Sequence, residues 1–138
     1  MSANFHIEAD PTRDLVRIRL SGFFTMDDVE GFLEARRMAH ARLLCGRNRH
    51  LTINDVTGMK IQSQEIVAAF REMLSAPDYQ SRRLAFVTGP TLARSQLMRT
   101  LVNRNARCFD DQAAAEAWLF SQDIEEAPIP APGADRAA

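Results

Sequence analysis

Residues 50–59 constrain the fold of this chain more than any other stretch. They begin as an apolar, β-branched run at Leu51 and end in a polar Asp-x-Thr-Gly sequence that is typical of a turn. Helical spacing of apolar residues then resumes over residues 63–74, which predicts a helix. A short buried strand that leads through a turn into a helix is half of a βαβ unit. Ligands and partners of open α/β sheets meet the carboxyl ends of the strands, so we expect a site within residues 55–63.

The chain before this stretch predicts two strands and a helix. Residues 5–9 and residues 15–20 alternate apolar and polar side chains, and a turn cluster separates them. This pattern indicates two half-buried strands that form an antiparallel opening pair. Thr25 is the expected N-cap of the first helix, which should run to about Leu44.

The chain after the central strand predicts three helices and two strands. Ser63 is the expected N-cap of the second helix, and residues 84–88 form a short apolar strand. A third helix should begin at Pro90 or Thr91, and residues 106–109 should form the last strand before Asp110 or Asp111 caps a fourth helix. The core faces of these two helices are predicted to be Leu92, Leu97, Met98, Leu101 and Val102 in the third, and Ala114, Ala117 and Trp118 in the fourth.

The predicted element order is β-β-α-β-α-β-α-β-α. Strands that alternate with helices pair in parallel through right-handed crossovers. We therefore predict a single α/β domain over residues 1–121, with a mixed, mostly parallel five-stranded sheet and four helices. Residues 122–138 are rich in Pro and Ala without periodicity, and such a composition predicts a disordered tail.

The composition excludes several classes of protein. The net charge is −1, and no concentrated basic face suggests nucleic acid. No apolar run reaches the ~18 residues that a membrane-spanning helix needs, and the first residues do not have the pattern of a secretion signal. Cys45 and Cys108 do not form a CxxC pair, so we expect reduced thiols and a cytoplasmic location.

The element order and three short motifs resemble the STAS domain, the SpoIIAA-like fold of anti-sigma-factor antagonists. The motifs are residues 17–25, residues 55–59 and the pair formed by residues 109–111 and 117–119. The chain is most similar in type to small bacterial STAS/SEC14-like proteins of uncharacterised function, and the resemblance covers about residues 5–121. It implies a SpoIIAA-like sandwich of sheet and helices.

One departure from this family concerns regulation. In phosphorylatable STAS proteins, an Asp-Ser-Ser-Gly-Leu-like element precedes the second helix, and its second Ser accepts phosphate from a partner kinase. If the alignment contains a one-residue gap, Ser63 matches the first Ser and Gln64 matches the acceptor. Without this gap, Glu65 matches the acceptor. The acceptor hydroxyl is missing in both alignments, so we expect no phosphorylation switch at this helix.

The sequence contains no recognisable catalytic or metal-binding arrangement. Asp55 at a strand end has the chemistry of a general base, but no His or second carboxylate accompanies it in sequence. His6, His40 and His50 do not have metal-ligand spacing. We therefore predict a protein that is not an enzyme and that uses no metal or cofactor.

Two functions remain open at this point. The first is a regulatory or protein-interaction module with an unknown protein partner, and the second is a small carrier or sensor of an apolar, lipid-like molecule, as the SEC14 side of the resemblance implies. The sequence is also compatible with a homodimer. In either case the predicted binding residues are Asp55, Thr57, Gly58, Ser63, Gln64, Glu65, Thr88 and Gly89. Thr88 and Gly89 precede a predicted helix whose free N–H groups can hold an anion, but a plain turn is favoured there.

Overall fold

The computed structural model describes residues 3–46, 48–76, 79–88 and 105–121. The predicted third helix, Gly89 and the predicted tail lie outside these residues. The helix that the sequence predicts as its fourth is α3 in the structure. In chain order the described elements are β1 (Asn4–Asp10), β2 (Leu15–Gly22), α1 (Met26–His40), β3 (Leu51–Met59), α2 (Gln64–Ser75), β4 (Arg83–Val87), β5 (Ala106–Phe109) and α3 (Gln112–Leu119).

The five strands form one sheet in the order β1-β2-β3-β4-β5. β1 and β2 are antiparallel, and every other neighbouring pair is parallel. The predicted antiparallel opening pair and the mixed, mostly parallel five-stranded sheet are therefore confirmed.

Both faces of the sheet are covered, which explains why β3 begins as a continuous buried run. α1 and α2 pack against one face, where Val16, Ile18 and Phe86 belong to the larger apolar cluster. α3 packs against the other face, where Leu51 and Ile53 belong to a second cluster. Successive residues of β3 contribute to opposite faces, as the pleat of a strand requires.

The predicted turn at residues 55–58 is wrong, because β3 continues to Met59. Arg19 pairs with Asp55 and Ser21 pairs with Gly58, so β3 has one more residue than β2 over this interval. The extra residue makes a β-bulge, which keeps the pairing with β2 while bending the strand. A Cβ atom on Gly58 would lie 2.9 Å from the Ser21 Cβ, so only glycine fits this close approach.

α1 ends at His40, four residues earlier than predicted. The N–H groups of Arg42 and Leu43 bond to the carbonyls of Ala39 and His40, which is the tighter pattern of a terminal turn. Leu44 is 81% exposed. Continuing the helix would bury no apolar side chain at that position, so nothing favours a further turn.

The predicted core face of the last helix is also partly wrong. The sequence predicts Asp110 or Asp111 as the N-cap, and the structure has Asp111 there. Its carboxylate accepts the Ala114 N–H at 2.8 Å. Ala114 and Ala117 are exposed, whereas Ala115 and Leu119 are the buried residues of α3. The buried face of the helix therefore lies one position further along the chain than predicted. The Trp118 indole is half-buried against Arg83 of β4 and against Arg107 and Phe109 of β5.

Candidate functional site

Gln62 joins two loops at the carboxyl ends of β2 and β3. Its Oε1 accepts the Phe24 N–H at 2.8 Å, and its Nε2 donates to the Gly22 carbonyl at 3.0 Å and to the Lys60 carbonyl. The Lys60 N–H also donates to the Gly22 carbonyl at 3.2 Å. The Gln62 side chain is buried. The loops that lead into α1 and α2 are therefore held together as one rigid junction.

Both helices that leave this junction begin with a side-chain cap. Thr25 and Asp28 form a reciprocal capping box at the start of α1. Ser63 caps α2, because its Oγ accepts the Ile66 N–H at 3.3 Å. The predicted N-caps Thr25 and Ser63 are confirmed, and the Ser63 hydroxyl already has a structural hydrogen bond.

Large apolar side chains are exposed around the junction. Phe23 and Met26 lie on either side of the loop into α1, with 43% and 38% of their surface exposed, and Ile61 on the neighbouring loop is 48% exposed. Gln64 and Glu65 are exposed beside them in the first turn of α2. We refer to Phe23, Met26, Ile61, Gln64 and Glu65 as the junction surface.

The structure divides the remaining predicted site residues between different surroundings. The Asp55 carboxylate accepts both the N–H and the hydroxyl of Thr57, at 3.0 and 2.7 Å, and so stabilises the bulge. Asp55 follows Ile53 onto the α3 face of the sheet, opposite to the face that α2 covers. Thr57 and Gly58 are exposed, whereas Thr88 is buried and its N–H bonds to the Phe109 carbonyl at 3.0 Å. Their role in binding stays a prediction.

A groove lies between α1 and α2 above the sheet and has a volume of about 120 Å³. The side chains that line the groove are mainly apolar. The groove runs from Lys60 at the carboxyl ends of the strands to His40 and Ser81 at the opposite end. The principal apolar side chains that line it are Ile18, Phe32, Val67, Phe70, Met73 and Phe86.

A chain of polar groups lies at the His40 end of the groove. The His40 Nδ1 lies 2.9 Å from the Arg36 carbonyl, which can only accept, so Nδ1 carries a proton. In neutral His40 the Nε2 atom is then an acceptor, and the His50 Nε2 at 3.2 Å must donate to it. Burial lowers the pKa of His40 more than any other cause, and the positive charge of Arg36 lowers it further. The hydrogen bond to the Arg36 carbonyl acts in the opposite direction. The structure therefore favours neutral His40.

The floor of the groove carries two hydroxyls and one amide. The Ser81 Oγ lies 2.6 Å from the Thr52 Oγ1 and 3.4 Å from the His50 Nε2. Asn54 follows Thr52 on the same face of β3 and also lines the groove. The Asn54 Oδ1 atom is buried and has no hydrogen-bond partner. Sequence reasoning missed the polar groups of this groove, because they come from positions that are far apart in the chain.

The described residues show neither a metal cluster nor a membrane-spanning helix. Among them, no three His, Cys, Asp or Glu side chains converge as they would around a metal ion. Within the same ranges, no helix is both long and apolar enough to cross a membrane. The cytoplasmic location stays a prediction from the sequence.

Comparison with known proteins identifies the fold. No known family profile matches the chain, and no curated protein does. The structure is similar to the crystal structure of an uncharacterized protein from the DUF3478 family with a SpoIIAA-like fold, from Shewanella loihica PV-4. The TM-score is 0.65 over 86% of this chain and 94% of that chain, with 16% sequence identity. This likeness confirms the predicted SpoIIAA-like fold, and at this identity it concerns the fold alone.

Proposed function

We propose that this SpoIIAA-like domain is a non-enzymatic STAS-like interaction module that contacts a protein partner through the junction surface. The exposed cluster of Phe23, Met26 and Ile61 carries this proposal. Single exposed apolar residues are common on protein surfaces, but neighbouring ones are typical of interaction sites. These three lie within a few residues of the hydrogen bonds that Gln62 makes between the two loops.

The surroundings of this cluster also suit a protein partner. Polar Gln64 and Glu65 and the cation Lys60 lie at its edge, and protein interfaces commonly have an apolar centre with a polar rim. Because Gln62 holds both loops in place, little conformational freedom would be lost when a partner binds.

Two features support a module without a phosphorylation switch. Ser63 uses its hydroxyl as the cap of α2, and Glu65 places a carboxylate in the first helical turn.

Affinity capture tests the interaction. The immobilised chain is incubated with extract of its source cells, and the captured proteins are quantified by mass spectrometry. Ile61→Ser and Glu65→Lys should each lose a partner that the wild type captures. Leu44→Ser and Glu72→Lys are matched controls, because both residues are exposed but lie outside the junction surface. Identical partner lists for all five proteins would contradict the proposal.

A second function, the carriage or sensing of a small apolar molecule, is favoured by the groove between α1 and α2. Its volume of about 120 Å³ is below the ~300 Å³ at which drug-sized ligand pockets begin. It is nearer to the ~150 Å³ cavity that holds benzene in a known case. This size suits a single ring better than a lipid chain. Native mass spectrometry of the protein from its own cells should reveal a bound molecule, and a spectrum of the bare chain alone would argue against carriage.

A further inference from the structure

We propose that the outer edge of β1 pairs with β1 of a second copy of this chain, so that the two five-stranded sheets join into one. This inference concerns a different surface from those of the two proposed functions and is independent of both. It is argued from the regularity of β1, from the open position of its edge and from a register in which β1 is complementary to itself.

β1 lacks the features that commonly keep an edge strand from pairing. Within the part of the chain that the structure describes, β1 is the outermost strand on its side of the sheet and pairs only with β2. Its seven residues include no Pro, Gly or Lys, and the pairing with β2 runs from Asn4 to Asp10 without a bulge. Such residues, bulges or a short length usually protect an edge. β5, at the opposite edge, has only four residues. β1 therefore offers more backbone to a further strand.

α1 leaves the edge of β1 open. Arg36 and His40 line the groove and so lie on the side of α1 that faces α2, whereas Gly31 lies on the opposite side of the helix. A Cβ atom on Gly31 would lie 3.7 Å from the Phe5 ring. The Phe5 side chain therefore stands against the outer side of α1, and the helix axis lies inward of β1. This arrangement leaves room for a second β1 strand beside the first.

The apolar face of β1 is incompletely covered. Phe5, Ile7 and Ala9 lie on the α1 side of the sheet and are half-buried, whereas the β2 residues opposite them are buried. Met38 is 58% exposed. It lies two helical turns after Gly31, on the same outer side of α1. A second copy that pairs with β1 would cover the exposed parts of these side chains.

Pairing that is centred on Ile7 makes β1 complementary to itself. A two-fold axis perpendicular to the sheet keeps its two faces continuous, so that side chains of the same face stand opposite each other. Ile7 is the middle residue of β1, and this register therefore pairs all seven residues. It places His6 opposite Glu8 of the second copy, and Phe5 opposite Ala9. A centre at Glu8 would instead place two carboxylates opposite each other, which is destabilising.

The exposed face of this register alternates imidazole and carboxylate groups. Within one chain the His6 Nε2 lies 3.4 Å from the Glu8 Oε1, and both side chains are exposed. In the dimer each His6 would also lie directly across from Glu8 of the second copy. Opposite pairs of complementary side chains stabilise strand pairing. Because the same seven residues supply both halves of this match, the chain itself is the occupant that the edge fits.

Sedimentation equilibrium of the full chain tests the dimer. A contact through one strand is smaller than a standard protein interface, so the dimer should be weak. The mass should rise from 15.5 kDa towards twice that value as the concentration approaches about 1 mM, and dilution should reverse the change. Hydrogen exchange over the same concentrations should show that the outward amides of β1 become protected only in the dimer.

Variants and a labelled mixture test the register. His6→Glu places two carboxylates opposite each other and should abolish the dimer. The double variant His6→Glu/Glu8→His exchanges the two side chains and should restore it. Ala68→Glu adds the same carboxylate at an exposed position of α2 and should dimerise like the wild type. In a mixture of labelled and unlabelled wild type, an isotope-filtered nuclear Overhauser effect should connect the Ile7 side chains of the two copies.

Contrary outcomes overturn the inference. A wild type that stays at 15.5 kDa at every concentration would show that the edge does not self-associate. A dimer that persists in folded His6→Glu, or that shows no contact between the two copies of Ile7, would use another surface or register. Protected outward amides of β1 in the dilute monomer would show that the chain itself covers this edge. If His6→Glu does not fold, the contact between the two copies of Ile7 still decides the question.

Discussion

Replacing Gln62 by Met tests whether one buried side chain holds the junction together. Methionine has a similar length and volume, so the substitution removes hydrogen bonds without opening a cavity. Gln62 is buried, and its amide bonds to the backbone of Phe24, Gly22 and Lys60. The change in the free energy of unfolding should therefore report these hydrogen bonds.

The expected magnitude depends on which backbone groups lose their only partner. Phe24 is 1% exposed, so its N–H has no access to water once the Gln62 Oε1 is gone. The Gly22 carbonyl keeps the Lys60 N–H, and Lys60 is exposed enough for water to reach its carbonyl. One orphaned buried donor costs about 1–3 kcal/mol. We expect the free energy of unfolding to fall by about this amount.

Urea denaturation followed by the fluorescence of Trp118 measures this loss. The midpoint should move to lower urea with an unchanged slope. Gln64→Met is the matched control, because Gln64 is exposed and should change stability by no more than about 0.5 kcal/mol. Exchange of the Phe24 amide hydrogen should also become faster in Gln62→Met alone. Equal stability of the two variants would show that the junction does not depend on Gln62.

Three further predictions concern other parts of the described fold. Ser63→Ala removes the cap of α2 and should lower stability by about 1 kcal/mol, measured by urea denaturation; intact mass of the wild type from its own cells should show no phosphorylated form. His40 has a lowered pKa in the folded state, so only the unfolded chain takes up its proton as the pH falls below about 6.5. Urea denaturation should therefore show stability that is complete above this pH and decreases below it, and His40→Asn should reduce that dependence. Gly58→Ala places a Cβ 2.9 Å from the Ser21 Cβ and should lower stability by about 1–3 kcal/mol. Its control is Gly31→Ala in α1, where the added Cβ would meet only the Phe5 ring of β1 at an ordinary 3.7 Å. This variant should raise stability by about 0.5–1 kcal/mol, measured by thermal melting.

Each of these predictions has a contradicting result. A large phosphorylated fraction at Ser63 would restore a phosphorylation switch, and an unchanged stability of Ser63→Ala would deny the cap. A pH dependence that is the same in His40→Asn would assign the effect to other groups. Equal effects of the two Gly→Ala substitutions would show that β2 and β3 can separate enough to accept a Cβ at residue 58.

Much of the fold follows from the sequence, because its signals act over a few residues. The caps Thr25, Ser63 and Asp111 bond to N–H groups three residues further along the chain. Alternation and helical spacing identified the described strands and helices within a few residues of their ends. The parallel pairing from β2 onward follows from the predicted order of strands and helices along the chain alone.

Where local signals compete with contacts to distant residues, only the tertiary structure decided which conformation forms. Asp55 and Gly58 have the chemistry of a turn, but Ser21 of β2 lies beside Gly58 and extends the strand through it. Local spacing could not give the rotation of α3 either, because the place available for Trp118 depends on β4 and β5.

The same division applies to the candidate sites. Ser63, Gln64 and Glu65 lie at a helix start that the sequence predicts, so part of the junction surface could be found from local pattern. Gln62 could not, because Phe24, the donor that it satisfies, lies 38 positions earlier in the chain. Asn54 lies in an apolar run, and it lines a groove that exists only once α1 and α2 cover the sheet. Burial and hydrogen bonding between distant segments depend on packing, which local sequence patterns do not encode.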